Sequence, residues 1–486
     1  MHSDMKKILL YLMPAMLLLT GCEKFLDQQP ISSLSTELFW KTAEDANLGN
    51  AAIYDGLQKT LTDCYIDWGD ARSDNFTYSG TGDYQILVTM NGLTSLTTTA
   101  NWADLYMTIA RANVAIEQLP KVKALSDVDR NHYLAQAYAA RAYMYFYAVR
   151  LWGAVPVWTT PYGSMSDEPR KPRTPEDSVI NNVIIPDLQK ARTLINRSLT
   201  NVFEISEGAI LAMLTDVYMW KKDYANTLAS SAAFIALPYK YDVNANTLAT
   251  MKGIFINPSG NKEAVFVLNW DYTKDGENFL GLRLGSSSNT STYEIDSVVT
   301  RKFMASTGDL RRWNTFDTLL WGTSTKITQI WKYYDYDPAT NKPKIPSRIE
   351  NNVKIPLYRT ADILLLRAEA LNRTGDKTGA FTIVNRIRTL RGARALVPAA
   401  YATVDAAEDA ILDERQLELF AESRRWFDLV RTGRVLQVVD PLIRERQREQ
   451  RLQETGFTDA RKILWPISRD ALTRNPLLVQ NPPYSE

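Results

Sequence analysis

Apolar residues recur at helical spacing along most of this chain, and the pattern lapses in the middle. Over 103–119, Leu105, Ile109, Ala112 and Ile116 fall on one helical face. Leu134, Ala137, Tyr138, Arg141, Ala142, Tyr145 and Val149 trace a second face, which Gly153 and Pro156 end. The same spacing predicts helices over about 177–197, 208–221, 224–236, 360–373, 376–391 and 405–431. Thr174-Pro175-Glu176-Asp177 reads as a helix entry, with Thr174 as the cap and Pro175 in the first turn.

Two stretches read as copies of one helix-turn-helix unit. Ala212–Trp220 leads through Lys221–Ala225 to Leu228 and Ala232, and Leu365–Leu371 leads through Arg373–Asp376 to Ala380 and Ile383. Small residues facing large ones across a short turn suit tetratricopeptide-like hairpins. The two lie 153 residues apart, so they are not a tandem array in sequence, and helical packing explains each without a ligand.

The middle, about 240–356, is rich in Asn, Gly, Ser and Thr. Ala264–Leu268 reads as a short strand and 286–292 as a polar loop. Between 266 and 336 there are 13 aromatics in 71 residues, about 18% against 10% for the chain. Many sit among polar residues without helical spacing, so a core stripe does not explain them all.

The chain has 486 residues, 45% hydrophobic and 23% charged, which is enough to bury a substantial core. Lys and Arg number 56 against 55 Asp and Glu, and removing Asp4, Lys6 and Lys7 with the leader described next leaves 54 of each. A neutral chain lacks the basic surface that nucleic acid requires. The only histidines are His2 and His132. Zinc catalysis by a His pair is thereby excluded, and a Ser-His-Asp triad would have to use His132. No Gly-rich phosphate loop, Walker motif or cluster of metal ligands occurs, so no cofactor or metal is expected.

Lys6 and Lys7 precede the apolar run Ile8–Leu19, interrupted by Pro14, and then Leu19-Thr20-Gly21-Cys22. This is a secretory leader over 1–21. As a helix the run spans roughly 18 Å against about 30 Å of hydrocarbon, too short for a permanent span. The end resembles a bacterial lipobox, in which Cys22 becomes the acylated first residue. Several acyl chains hold a folded domain stably on a membrane where one does not. Cys64 is then left without a partner, so packing rather than a disulfide stabilises the fold.

Several segments, in order, resemble the SusD/RagB family of outer-membrane nutrient-binding lipoproteins. They are Cys22–Pro30, Trp102–Tyr106 with Arg111-Ala112-Asn113, and Ala139–Phe146 running into Arg150–Pro156. Then come Arg173-Thr174-Pro175, Pro356–Leu365 with Ala368-Glu369-Ala370, Glu414–Leu419, Arg425–Arg431, Leu464–Ile467 and Asn475-Pro476. The likeness thins between about 240 and 350. It implies a mostly α-helical fold, residues 22–486 forming one domain. Tetratricopeptide-like hairpins over about 36–236 and 356–486 are the scaffold, and a loop-rich insertion over about 240–356, with a few short strands, forms the ligand face. It also implies a non-enzymatic protein at the outer-membrane surface, capturing glycan for a SusC-like TonB-dependent transporter. The alternatives are peptide capture, as by RagB-like members, and a helical-repeat adaptor that holds only protein partners.

A glycan site needs flat exposed rings for sugar C–H faces and fixed polar groups for hydroxyls. Trp270, Tyr272, Tyr293, Trp321 and Trp331 meet the first need. Asp67, Trp68, Arg72, Asp74 and Tyr84 lie in a second polar, aromatic region, where Asp70–Asn75 resembles a family segment near the ligand face. Glu414, Glu418 and Glu422 sit four apart among Arg415, Arg424 and Arg425 and read as interhelical ion pairs rather than a hydrolytic acid pair. Arg444–Arg451 alternates in sign and reads as a solvated or partner-facing helix.

Overall fold

The computed structural model describes residues 39–485, apart from 79–82, 163–167, 286–291, 317–328, 338–341 and 345–349. The leader, Cys22, Trp321 and most of the 286–292 loop lie outside the described residues. The fold is mostly helical, with six short strands among the described residues.

The helices that build the scaffold are α1 (Ala43–Gly69), α2 (Ala103–Gln118), α3 (Asp127–Trp152), α4 (Ile185–Leu194), α5 (Glu207–Trp220), α6 (Tyr224–Ile235) and α7 (Leu248–Ile256). They continue with α8 (Thr360–Arg373), α9 (Lys377–Leu390), α10 (Val404–Glu418), α11 (Arg425–Arg431) and α12 (Val435–Glu449). Each of α1 to α5 packs on the next, so that α4 lies between α3 and α5. At the centre is α3, in which every residue from Ala139 to Trp152 is buried. A helix buried all round must be small, apolar or internally paired on every face: Ala139, Ala140, Ala142 and Ala148 let its neighbours approach closely, and Arg141 and Arg150 pair with Asp187 and Asp216. Gly153 ends it at φ +70, where a side chain would be strained.

The two hairpins are α5–α6 and α8–α9, and α6 packs directly against α8. They are therefore neighbours in space although far apart in sequence. A ladder between β2 (Ala264–Leu268) and β6 (Ile355–Arg359) explains this, because the chain leaves through β2 and returns antiparallel through β6 straight into α8. Between them β3 (Tyr293–Ile295) pairs with β1 (Phe76–Tyr78), and β4 (Tyr336–Asp337) with β5 (Lys342–Pro343).

Three local expectations are corrected. Thr174 bridges Val155 through both backbone hydrogen bonds instead of capping, and Pro175 precedes the helix. The helix expected over 177–197 widens into a π turn at Ile180–Ile184 beside Pro186, which has no N–H to close the regular ladder. The helix expected over 405–431 breaks between α10 and α11, where Ala421 and Ser423 take left-handed φ of 61° and 59°. In addition, Arg446 within the mixed-charge run is buried, donating to the Thr89 and Phe76 carbonyls and to Asp296.

Candidate functional site

Four polar side chains on one side of α1 hold the returning segment. Gln58 Nε2 donates to the Asn269 carbonyl at 2.8 Å. Thr62 Oγ1 accepts the Phe279 N–H at 2.9 Å and donates to Asn278 at 3.3 Å. Arg283 Nη2 lies 3.0 Å from Asp63 and 3.1 Å from Asp67. With 3.6 residues per turn, 62 and 63 fall between 58 and 67, which lie half a turn apart, so one half of the α1 circumference receives 269–295.

Asp67 is the hub of this face. It is fully buried and accepts from Tyr293 Oη at 2.8 Å, from Tyr84 Oη and from Arg283. Tyr84 Oη also meets Thr99 Oγ1 at 2.8 Å, and Trp68 Nε1 donates to the Thr99 carbonyl at 2.8 Å. Burial pushes the Asp67 carboxyl above its ordinary value, with the Arg283 guanidinium opposing. Burial and Asp67 together push the Tyr84 and Tyr293 phenols up, so both stay protonated and donate. Four of the ten residues singled out by sequence therefore meet at one cluster.

That cluster is internal, and the expectation of direct ligand contact is corrected for six residues. Asp67, Trp68, Arg72, Asp74, Trp270 and Tyr293 are each at most 4% exposed. Asp74 forms a two-pronged pair with Arg425 at 2.8 and 3.0 Å. Arg72 lies over the Trp426 ring at 4.1 Å and donates to the Ile463 carbonyl. Trp270 Nε1 donates to the Gly276 carbonyl at 3.0 Å. Polar groups removed from water must find internal partners, and these have done so except for Arg72 Nε, which has none among the described residues.

On the carboxyl-terminal side the anchoring is ionic. Glu418 faces Arg311, Arg359 and Arg391, while Glu263, Glu414 and Glu422 complete the set with Lys332. Burial opposes ionisation of Glu418, but Arg391 and Arg359 hold its carboxyl well below the ordinary range. The acids four apart are thus interhelical ion-pair members, as their spacing suggested. Arg415, Arg424 and Arg425 pair elsewhere, with Asp362, Asp428, Asp216 and Asp74.

The two anchors meet at the end of α1. The Asp70 carboxylate accepts the Ser423 and Arg425 N–H groups at 2.7 and 3.2 Å, and Tyr65 Oη donates to the Glu422 carbonyl at 2.8 Å. A Cβ on Gly69 would lie 2.4 Å from the Ser423 carbonyl oxygen, so only glycine allows this approach.

Rings open to solvent lie outward from these anchors. Tyr272 is half-buried on the helical turn Tyr272–Asp275; its N–H donates to Asn352 at 2.7 Å and its hydroxyl to Glu350 at 3.1 Å. Trp331 is half-buried and its Nε1 has no partner among the described residues. The Trp331 carbonyl accepts from Lys252 Nζ at 2.9 Å, and burial pulls that amine down to about 8. Beside it packs the short helix Leu310–Thr315, carrying Trp313, 44% exposed, with the Arg312 guanidinium 4.6 Å from its ring. Arg312 Nε and Asn314 Oδ1 also lack partners. Ile330 N–H donates to the Leu284 carbonyl and Tyr334 Oη to the Gly285 carbonyl, so this patch is tied to the Asp67 cluster through Arg283.

Trp313 and Arg283 were not singled out by sequence. A Trp between Arg312 and Asn314 was the available signal for the first, and an Arg inside the apolar run Leu280–Leu284 for the second. Among the described residues no group of three or more His, Cys, Asp and Glu is placed to hold a metal, and no helix is long and apolar enough to cross a membrane. His132 is buried against Gln136 and Glu204.

Comparison with known proteins fits this architecture. Residues 304–484 match the SusD family, and residues 24–219 match a family described as starch-binding associating with outer membrane. SusD-like protein P38 of Formosa agariphila is 32% identical, over 96% of both chains. A SusD superfamily structure from Bacteroides thetaiotaomicron superposes with a TM-score of 0.71 at 25% identity, covering 92% of this chain and 99% of that one. A laminarin-binding SusD-like protein gives 0.73 at 20% identity, covering 91% and 100%. With the helical scaffold, the β2–β6 closure and these similarities together, the chain belongs to the SusD family.

Proposed function

We propose that this protein is a non-enzymatic glycan-capture lipoprotein of the outer-membrane surface, held by acylated Cys22. It hands oligosaccharide or polysaccharide to a SusC-like TonB-dependent transporter. The observation that carries the reading is the patch where the exposed Trp313 ring and the half-buried Trp331 ring lie on neighbouring elements. Stacking on sugar C–H faces becomes available there. Tyr272, and Trp321 outside the described residues, are the further ring contacts; the Asp67 cluster, with Tyr84 in it, acts beneath them as a rigid support. The starch-binding description of the matched family and the laminarin named for one fold neighbour favour glycan as the ligand class. The acids spaced like a hydrolytic pair are committed to arginines, which favours binding without cleavage.

The test is native gel retardation of the purified protein through plant, microbial and host polysaccharides, with released sugars assayed. Retardation by a polymer, weakened in Trp313→Ala or Trp331→Ala and without product, is the expected result. No retardation by any polymer, with capture of peptides instead, overturns the glycan reading in favour of a RagB-like role.

A further inference from the structure

Away from the 264–359 segment, a cleft of about 610 Å³ opens between α2, residues 156–162 with 169–170, and the short helix Arg469–Arg474. Its wall is aromatic. Trp102 forms the buried floor, the Tyr106 and Trp158 rings stand 5.5 Å apart at 89°, and Tyr162 is 55% exposed. The wall is also fixed from behind. Tyr106 Oη donates to the Pro156 carbonyl at 2.8 Å, and Trp158 exchanges hydrogen bonds with the Tyr145 hydroxyl through its N–H at 2.7 Å and its carbonyl at 2.8 Å. Asn113 donates to the same carbonyl at 3.0 Å. Ring faces held this firmly meet a ligand with little ordering cost.

The rim is basic. Arg170 lines the cleft; its backbone N–H donates to the Glu168 carboxylate at 2.9 Å while its guanidinium has no ion pair among the described residues, and Lys171 lies behind Trp158 with Nζ 5.7 Å from the ring. Arg474 pairs with Asp470, an exposed pair that exchanges readily with solvent, and Asp470 is the one carboxylate among the lining residues. A ligand suited to both wall and rim carries an apolar ring face and a carboxylate on the same unit. A pyranuronate has this form, with axial C–H groups for Tyr162 and Trp158 and a carboxylate for the planar guanidiniums.

We propose that this cleft is a second carbohydrate site, separate from the Trp313–Trp331 patch and selective for uronate-containing oligosaccharides. This rests on the glycan reading above and adds an acidic substrate class to it. The volume suits a short oligomer rather than a polymer backbone running through.

Calorimetric titration tests it, with trimers of galacturonate, glucuronate and mannuronate beside the neutral trimers of the parent sugars. At least one uronate trimer should bind more tightly than its neutral counterpart, with affinity falling as salt rises. Arg170→Gln and Tyr162→Ala should each weaken that binding by about tenfold, while Trp313→Ala leaves it unchanged. Binding of neutral polysaccharide through Trp313 with no uronate binding overturns this proposal and leaves the glycan reading standing. Uronate binding insensitive to both cleft variants overturns it as well. Preference for an acidic peptide over every uronate trimer, lost in Arg170→Gln, reassigns the cleft to peptide. Failure of all sugars at both places overturns both readings.

Discussion

The segment between β2 and β6 is fastened on two sides, and the two fastenings use different chemistry. On α1 the contacts are hydroxyls, amides and a single guanidinium converging on Asp67. On α10 and the turn after it, the contacts are arginines and a lysine against Glu414, Glu418 and Glu422. Both bury a polar helix face, which requires the incoming chain to supply a partner for each group. In the first, most partners are neutral and each missing bond costs one unsatisfied group. In the second, every acid is shared, so losing one leaves several buried cations short of countercharge. The comparison shows how an irregular segment becomes rigid without much regular secondary structure of its own.

The ionic side should break first. Glu418→Gln leaves Arg311, Arg359 and Arg391 undercompensated in the core and should lower unfolding free energy by about 3–5 kcal/mol, read from the urea midpoint. Asp67→Asn leaves Arg283 with Asp63 but keeps only one acceptor oxygen, so one of the Tyr84 and Tyr293 hydroxyls loses its bond to this side chain. The expected loss is about 1–3 kcal/mol in the same assay. If the two losses prove equal, the distinction between the fastenings fails.

Their junction gives a pH-dependent test. Burial pushes the Asp70 carboxyl up to about 7 from 3.8, against the opposing Ser423 and Arg425 N–H bonds. Between these values the folded state holds more protons than the unfolded one, so this group's contribution to stability falls as pH rises from about 4 to about 7. Asp70→Asn should remove that component, making the variant's stability relative to the native protein improve across the same window. Thermal midpoints taken at intervals over it would show this, and a flat difference would refute the assignment.

The outermost rings should matter least to stability. Trp313→Ala and Tyr272→Ala should shift unfolding by no more than ~0.5 kcal/mol, because neither ring is packed in the core. Each should nevertheless weaken retardation by the bound glycan. A large destabilisation by either would make it a packing residue like Trp270.

Much of the scaffold was legible in the chain because helix periodicity is a local property. The hairpins at 212–232 and 365–383, the stop at Gly153 and the strand Ala264–Leu268 all follow from residues within one or two turns. The ion-pair role of Glu414, Glu418 and Glu422 was legible too, since like charges four apart on a helix require partners. Their actual partners were not, because Arg311, Arg359 and Arg391 come from distant segments.

Aromatic enrichment was the weaker guide to the site. Of the rings between 266 and 336, Phe266, Trp270, Tyr293, Phe303, Phe316, Tyr333 and Tyr334 are core residues, and Trp313 is the openly exposed one among those described. Irregular segments have no fixed period that separates inside from outside, so composition identifies a ring-rich region without saying which rings face water. By itself the sequence determined the helical scaffold, its family likeness and the shortage of histidine and cysteine chemistry, since these depend on residue type and local spacing. Only the tertiary structure decided that Asp67 and Tyr293 face inward while Trp313 and Tyr162 face solvent. Burial is fixed by which distant chain covers a residue, and the β2–β6 ladder and the two polar helix faces set that covering.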